Sequence, residues 1–103
     1  MSNRKKILEF IYRAIDSVNI QQDENLKLNK DPDEIIFGKN GKLDSLGLIN
    51  LIVAIEQNIT DEYETSITLA DERAMSQGHS PFRNVESMVD YIDLLLEEMV
   101  NDW

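Results

Sequence analysis

Cysteine is absent from this sequence, and with it disulfides, thiolate metal sites and cysteine nucleophiles are excluded. Histidine occurs once, at His79, in a polar turn between Gly78 and Pro81, where a solvated side chain is expected rather than a catalytic base. Long apolar runs are missing as well. Nothing approaches the roughly eighteen residues of a membrane span. The opening MSNRKKILEF begins positively, but Glu9 and Arg13 interrupt it before a signal-type apolar stretch can form. A cytoplasmic protein is expected, and the Asn58-Ile59-Thr60 sequon then meets no glycosylation machinery.

Basic residues are scarce in the second half. Residues 1–43 hold eight Lys/Arg against seven Asp/Glu, a net +1, whereas residues 44–103 hold two against thirteen, a net −11. An acidic field of this kind repels nucleic-acid phosphates and anionic lipid and steers basic partner surfaces inward. The chain length of 103 residues fits one domain spanning 1–103, able to bury about 60–70% of the surface exposed by the unfolded chain. It is expected to be a monomer.

What is present is helical patterning. Residues 3–18 space Ile7, Leu8, Ile11, Ala14, Ile15 and Val18 as one stripe. From Asn19 to Leu43 no periodicity is sustained. Within that stretch Asp31-Pro32-Asp33-Glu34 combines a capping residue, a proline and a carboxylate three positions after the cap. About one helical turn is expected there, pinned to the core by Ile35, Ile36 or Phe37 and closed by Gly38.

A second helix begins at Ser45 behind Asp44 as its cap and reaches at least Gln57. Leu46, Ile49, Ile52, Val53 and Glu56 fall on one side, and Leu48, Leu51 and Ile55 widen the apolar surface. Such a helix is either central in a small bundle or partly exposed for binding, with Leu46 and Leu48 best placed for exposure. Thr68-Leu69-Ala70-Asp71 reads as a capping box opening a short helix that Gly78 closes. Asn84 then caps a last helix carrying Val85, Met88, Val89, Ile92, Leu95, Leu96 and Met99. The expected fold is all-α: a small four-helix bundle with three long helices, a short third helix and a long structured loop between the first two.

Catalytic and metal chemistry find little support. A hydrolase elbow at Ser45 needs small residues two positions away on both sides, and Leu43 occupies one of them. A calcium loop starting at Asp31 would place Ile36 where a glycine is obligatory. No spacing singles out a carboxylate pair or a metal cluster, so no enzymatic activity is expected.

The segment IIFGKNGKLDSLGLINLIVAIE, with its loop, Asp44-Ser45-Leu46 motif and helix in order, resembles the acyl carrier protein family, and the likeness extends over roughly residues 4–99. The resemblance implies that Ser45 receives a 4′-phosphopantetheine arm from coenzyme A through a separate magnesium-dependent phosphopantetheinyl transferase. It also implies that Asp44 helps to present the serine and that Leu46 contacts partner enzymes. The arm's thiol would hold an acyl or aminoacyl group as a thioester for acyl-loading and acyl-transferring enzymes with basic docking surfaces. Leu46, Leu48, Glu56, Asp71 and Glu72 are the expected partner-facing residues. The second helix departs from the fatty-acid-synthesis type, with Gly47, Asn50, Gln57 and Asn58 where acids are common. That points to a specialised stand-alone carrier in a fatty-acid, polyketide or other biosynthetic pathway. The alternative is an unmodified helical interaction module that docks through the apolar start of the second helix.

Overall fold

Apolar residues at helical spacing need a partner surface, and the first helix finds two. α1 runs Arg4–Asn19, with Ile7, Phe10, Ile11, Ala14 and Ile15 buried. The computed structural model describes residues 4–64, 69 and 81–101, without the side chains of 45 and 99–101. Phe10 extends the expected stripe toward α2 (Ser45–Tyr63), where its ring meets Tyr63 edge-on at 6.0 Å. Five residues earlier in α2, Asn58 Nδ2 donates to the carbonyl of Phe10 at 3.1 Å. Leu8 and Val18 lie half-buried at the edges of the stripe. α1 packs against α2 on one side and α3 (Val85–Asn101) on the other, and no comparable α2–α3 packing occurs among the described residues. The central helix is therefore α1. α2 is a flanking helix and keeps part of its apolar surface exposed.

α2 and α3 have local reasons to stop and start where they do. α2 ends at Glu64, whose N–H still reaches Thr60 O at 2.8 Å and whose left-handed conformation (φ 53°) then turns the chain out of the helix without a glycine. α3 starts behind a reciprocal box in which Ser87 N–H donates to Asn84 Oδ1 at 2.7 Å and Asn84 N–H to Ser87 Oγ at 3.2 Å. Phe82, buried just upstream, packs edge-on against Tyr91 at 6.0 Å and fixes the chain's approach to α3.

The long loop carries one 3-10 helix, Glu24–Leu26, and is ordered by side chains at both of its ends. Asn19, at the end of α1, accepts from Leu28 N–H at 2.8 Å and donates to Leu28 O at 2.9 Å, which seats the buried Leu28. Asp31 forms a turn, accepting the Asp33 N–H on its carboxylate at 2.8 Å and the Glu34 N–H on its carbonyl at 3.0 Å. The turn does not become the helical turn expected from Asp31-Pro32-Asp33-Glu34. Instead Ile35 bridges antiparallel to Asn84, because the first N–H groups of α3 need acceptors: Val85 N–H takes Glu34 O at 3.1 Å and Glu86 N–H takes Pro32 O at 3.0 Å. The Glu34 carboxylate, expected to close a capping box, accepts from Asn29 N–H and from Lys42 Nζ.

The described residues are all-helical, with three α-helices and no strand. The short helix expected from Thr68 to Gly78 lies outside them, except for Leu69, which is buried in the core.

Candidate functional site

Three hydrogen-bonded links carry the chain from the start of α3 to the start of α2. Arg83 O accepts Ile36 N–H at 2.7 Å and Phe37 N–H at 3.3 Å, and Ile36 O in turn accepts Leu43 N–H at 3.0 Å. Both Ile36 and Leu43 are buried, so the backbone is pinned one residue before Asp44. The intervening turn closes through Gly41 N–H to Gly38 O at 2.9 Å. Gly38 takes a φ of +93° there, and a Cβ on Gly41 would come within 2.6 Å of Phe37 Cα, so this tight return requires glycine at both positions. Lys42 clamps the same region from outside. Its ammonium donates to Lys27 O at 3.1 Å and to the half-buried Glu34 carboxylate at 2.9 Å.

Asp44 then caps α2 as its sequence position implies. Its backbone is extended, its Oδ1 accepts Gly47 N–H at 2.8 Å, and its carbonyl accepts Leu48 N–H at 2.9 Å. Ser45 is the first helical residue. Gly47 matters to this corner, since a Cβ there would lie 3.2 Å from both Asp44 Oδ1 and Leu43 Cδ2 and would crowd the cap. Asp44 itself stays exposed, at the positive end of a 19-residue helix where a negative group is favoured.

The two expected contact leucines separate. Leu46 is 68% exposed, as expected, but Leu48 is 3% exposed and belongs to the core, so the expectation that it faces partners is overturned. Residues two apart on a helix lie about 200° apart around its axis, and the first turn can present only one of them. Leu48 shares the inner face with Leu51, Ile52, Ile55 and Ile59, all buried. The outer face instead presents Ile49 and Val53, apart from the buried Ile52 expected on their side of the helix. Asn50 and Gln57, exposed on that same face, were the signal that could have identified it.

Glu56 is half-buried, and its Oε2 accepts Leu69 N–H at 2.7 Å. Its carboxylate is engaged in the fold rather than free for a partner. Asp71 and Glu72 lie outside the described residues, as does His79.

Among the described residues no group of His, Asp and Glu is arranged to hold a metal ion, and no helix is long and apolar enough to cross a membrane. No protein-family model matches the sequence, and comparisons with curated proteins and with solved structures return no match.

Proposed function

We propose that this chain is a carrier of acyl or aminoacyl groups, with a 4′-phosphopantetheine arm joined to the oxygen of Ser45 by a phosphopantetheinyl transferase: the serine hydroxyl gives up its proton and displaces adenosine 3′,5′-bisphosphate from the pyrophosphate of coenzyme A. The observation that carries the reading is the corner itself: an anchored loop ends at Asp44, Asp44 caps α2, and Ser45 is the first residue of that helix beside an exposed Leu46. When attached, the arm supplies a thiol that holds the carried group as a thioester.

The residues around Ser45 fit such a group. A phosphate at the first helical position is favoured by the helix dipole, by roughly 0.3–1 kcal/mol where exposed. Asp44 spends one oxygen lone pair on Gly47 N–H, and a carboxylate has about four such sites. It can therefore meet a transferase's magnesium without giving up the cap. The buried anchors Ile36 and Leu43 hold the corner in place while a mobile arm reaches one active site after another, and tethering raises the cargo's effective concentration at each. On this reading the chain performs no catalysis, and its partners are the transferase and the enzymes that load and receive the cargo.

The test is intact-mass spectrometry after incubation with a broad-specificity phosphopantetheinyl transferase, magnesium and coenzyme A. The expected result is a gain of one phosphopantetheine on the natural chain and none on Ser45→Ala. Failure of several such transferases to modify the folded protein would overturn the reading. The exposed Leu46 beside Ser45 would then stand for the other function class, an unmodified interaction module.

A further inference from the structure

α3 carries a groove of about 300 Å³ that includes no residue of the corner at Ser45. Tyr91, Leu94 and Leu95 give it an apolar floor, and Pro81 lines it from the segment before the helix. The fold fixes this frame in advance: Ser87 Oγ donates to Pro81 O at 2.8 Å, and the buried Phe82 meets the Tyr91 ring edge-on at 6.0 Å. A groove whose walls are already ordered costs a ligand little to fill. Its volume is at the small end of ligand sites, so it suits the side chains of an extended segment rather than a whole helix about 10 Å across.

Charge decides the occupant. Across Val85–Asn101 the helix has five carboxylates and no lysine or arginine. Two of the five, Asp90 and Glu98, line the groove, and Leu94, 52% exposed, sits midway between them, four residues from each. Asp90 already takes a guanidinium, its Oδ1 accepting from Arg4 Nη1, and a carboxylate has about four acceptor sites, which leaves room for a second donor. No lysine or arginine pairs with Glu98 among the described residues. Eight residues of helix set the two carboxylates about 12 Å apart along the axis, and an extended chain sets side chains four residues apart about 13 Å from each other on one face. A basic, an apolar and a basic side chain at alternate positions of an extended segment therefore match Asp90, Leu94 and Glu98 in order. The segment is not this chain's own: its sequence nowhere has two basic residues four positions apart, and two copies of charge −10 repel each other.

We propose that the α3 groove is a docking site for an extended segment of a partner protein with the pattern basic, any, apolar, any, basic, whose apolar side chain packs on Leu94 while its two basic ends meet Asp90 and Glu98. Arginine suits the two ends better than lysine, because its planar fork can bind a carboxylate with two hydrogen bonds and sheds water more readily. The inference does not depend on the carrier reading. Neither Asp44 nor Ser45 lines the groove, and α3 has no comparable packing on α2 among the described residues. If Ser45 does carry an arm, a partner held at α3 leaves that serine open to other enzymes and keeps the cargo near itself by tethering.

The probe is the blocked peptide acetyl-Arg-Ser-Leu-Ser-Arg-amide, titrated into the isotope-labelled full chain and followed by amide NMR. The expected result is a set of shifts concentrated between Ser87 and Glu98, with a dissociation constant of about 1 mM. The rearranged peptide acetyl-Arg-Arg-Leu-Ser-Ser-amide has the same composition and charge and should bind about fivefold more weakly, because it reaches only one carboxylate at a time. Glu98→Gln and Leu94→Ser should each weaken the first peptide by about the same factor. Glu97→Gln removes the same charge from an exposed position of α3 outside the groove and should leave binding within about twofold. All three substitutions are at exposed positions, so melting temperatures should match that of the natural chain. The proposal is overturned if millimolar peptide causes no shift, if the shifts spread evenly over the acidic surface, if the two peptides bind alike, or if Glu97→Gln weakens binding as much as Glu98→Gln. None of these outcomes bears on whether Ser45 gains an arm, which the mass measurement decides separately.

Discussion

Glu56 Oε2 accepts the Leu69 backbone N–H at 2.7 Å, joining the middle of α2 to a residue thirteen positions later whose side chain is wholly buried. The acceptor is a carboxylate, so the bond is charge-assisted. Its loss leaves a part-buried donor unpaired. Glu56→Ala is expected to destabilise the protein by about 1–3 kcal/mol in urea unfolding, and Glu56→Gln by less, because the amide oxygen still accepts. The reference is Glu97→Ala, at an exposed position on α3. Equal stability of Glu56→Ala and Glu97→Ala would return Glu56 to the pool of carboxylates available to partners.

Asp44 has two separable roles. Asp44→Ala removes the acceptor for Gly47 N–H and should cost about 0.5–2 kcal/mol, whereas Asp44→Asn preserves most of the cap. On the carrier reading the asparagine variant still loses the carboxylate offered to the transferase. Its modification rate should therefore fall although its denaturation midpoint barely moves. A rate that follows stability through both variants would assign Asp44 to capping alone.

Ile36 is the loop's main anchor to the core, since it is fully buried while Ile35 and Phe37 are half-buried. Ile36→Ala should cost about 2–5 kcal/mol, and Ile35→Ala clearly less. Amide exchange gives the sharper readout. The Leu43 N–H, which donates to Ile36 O, should lose protection in Ile36→Ala before amides in the middle of α1 do. Equal acceleration at both sites would mean that the anchor supports the whole fold and has no special hold on the corner at Asp44.

Local chemistry made several of these features legible in the sequence. The Asp44 and Asn84 caps are single-residue signals with a direct hydrogen-bond meaning, and the stripe of α1 is a clean 3.6-residue period. Features decided by distant segments were not legible. Asp31-Pro32-Asp33-Glu34 has helix-start chemistry, but the unpaired N–H groups of Val85 and Glu86 claim the carbonyls of Glu34 and Pro32 and hold the turn open. α2 is apolar nearly all round, so its period is faint, and only Asn50 and Gln57 distinguish its outer face from the face that buries Leu48. The end of α2 at Glu64 had no glycine or proline to announce it.

The Lys6–Glu62 pair joins α1 to α2 across the surface and gives the fold a predictable pH response. The hydrogen bond from Lys6, and then its charge, hold the Glu62 carboxyl below the ordinary range, while the hydrogen bond to Glu62 holds the Lys6 ammonium above its own. A depressed carboxyl binds its proton less tightly in the folded chain than in the unfolded one. The stabilisation from the pair is therefore complete above the ordinary glutamate value and is lost as pH falls through the lowered one. At the alkaline end it is complete below the ordinary lysine value and is lost as pH rises through the raised one. Both side chains are largely solvated, so the contribution is small and salt should reduce it. In Lys6→Met the Glu62 titration followed by NMR should move up toward the ordinary value, and the stability gap to the natural chain should close in acid. An unchanged Glu62 midpoint in that variant would show that Lys6 is not what holds the carboxyl down.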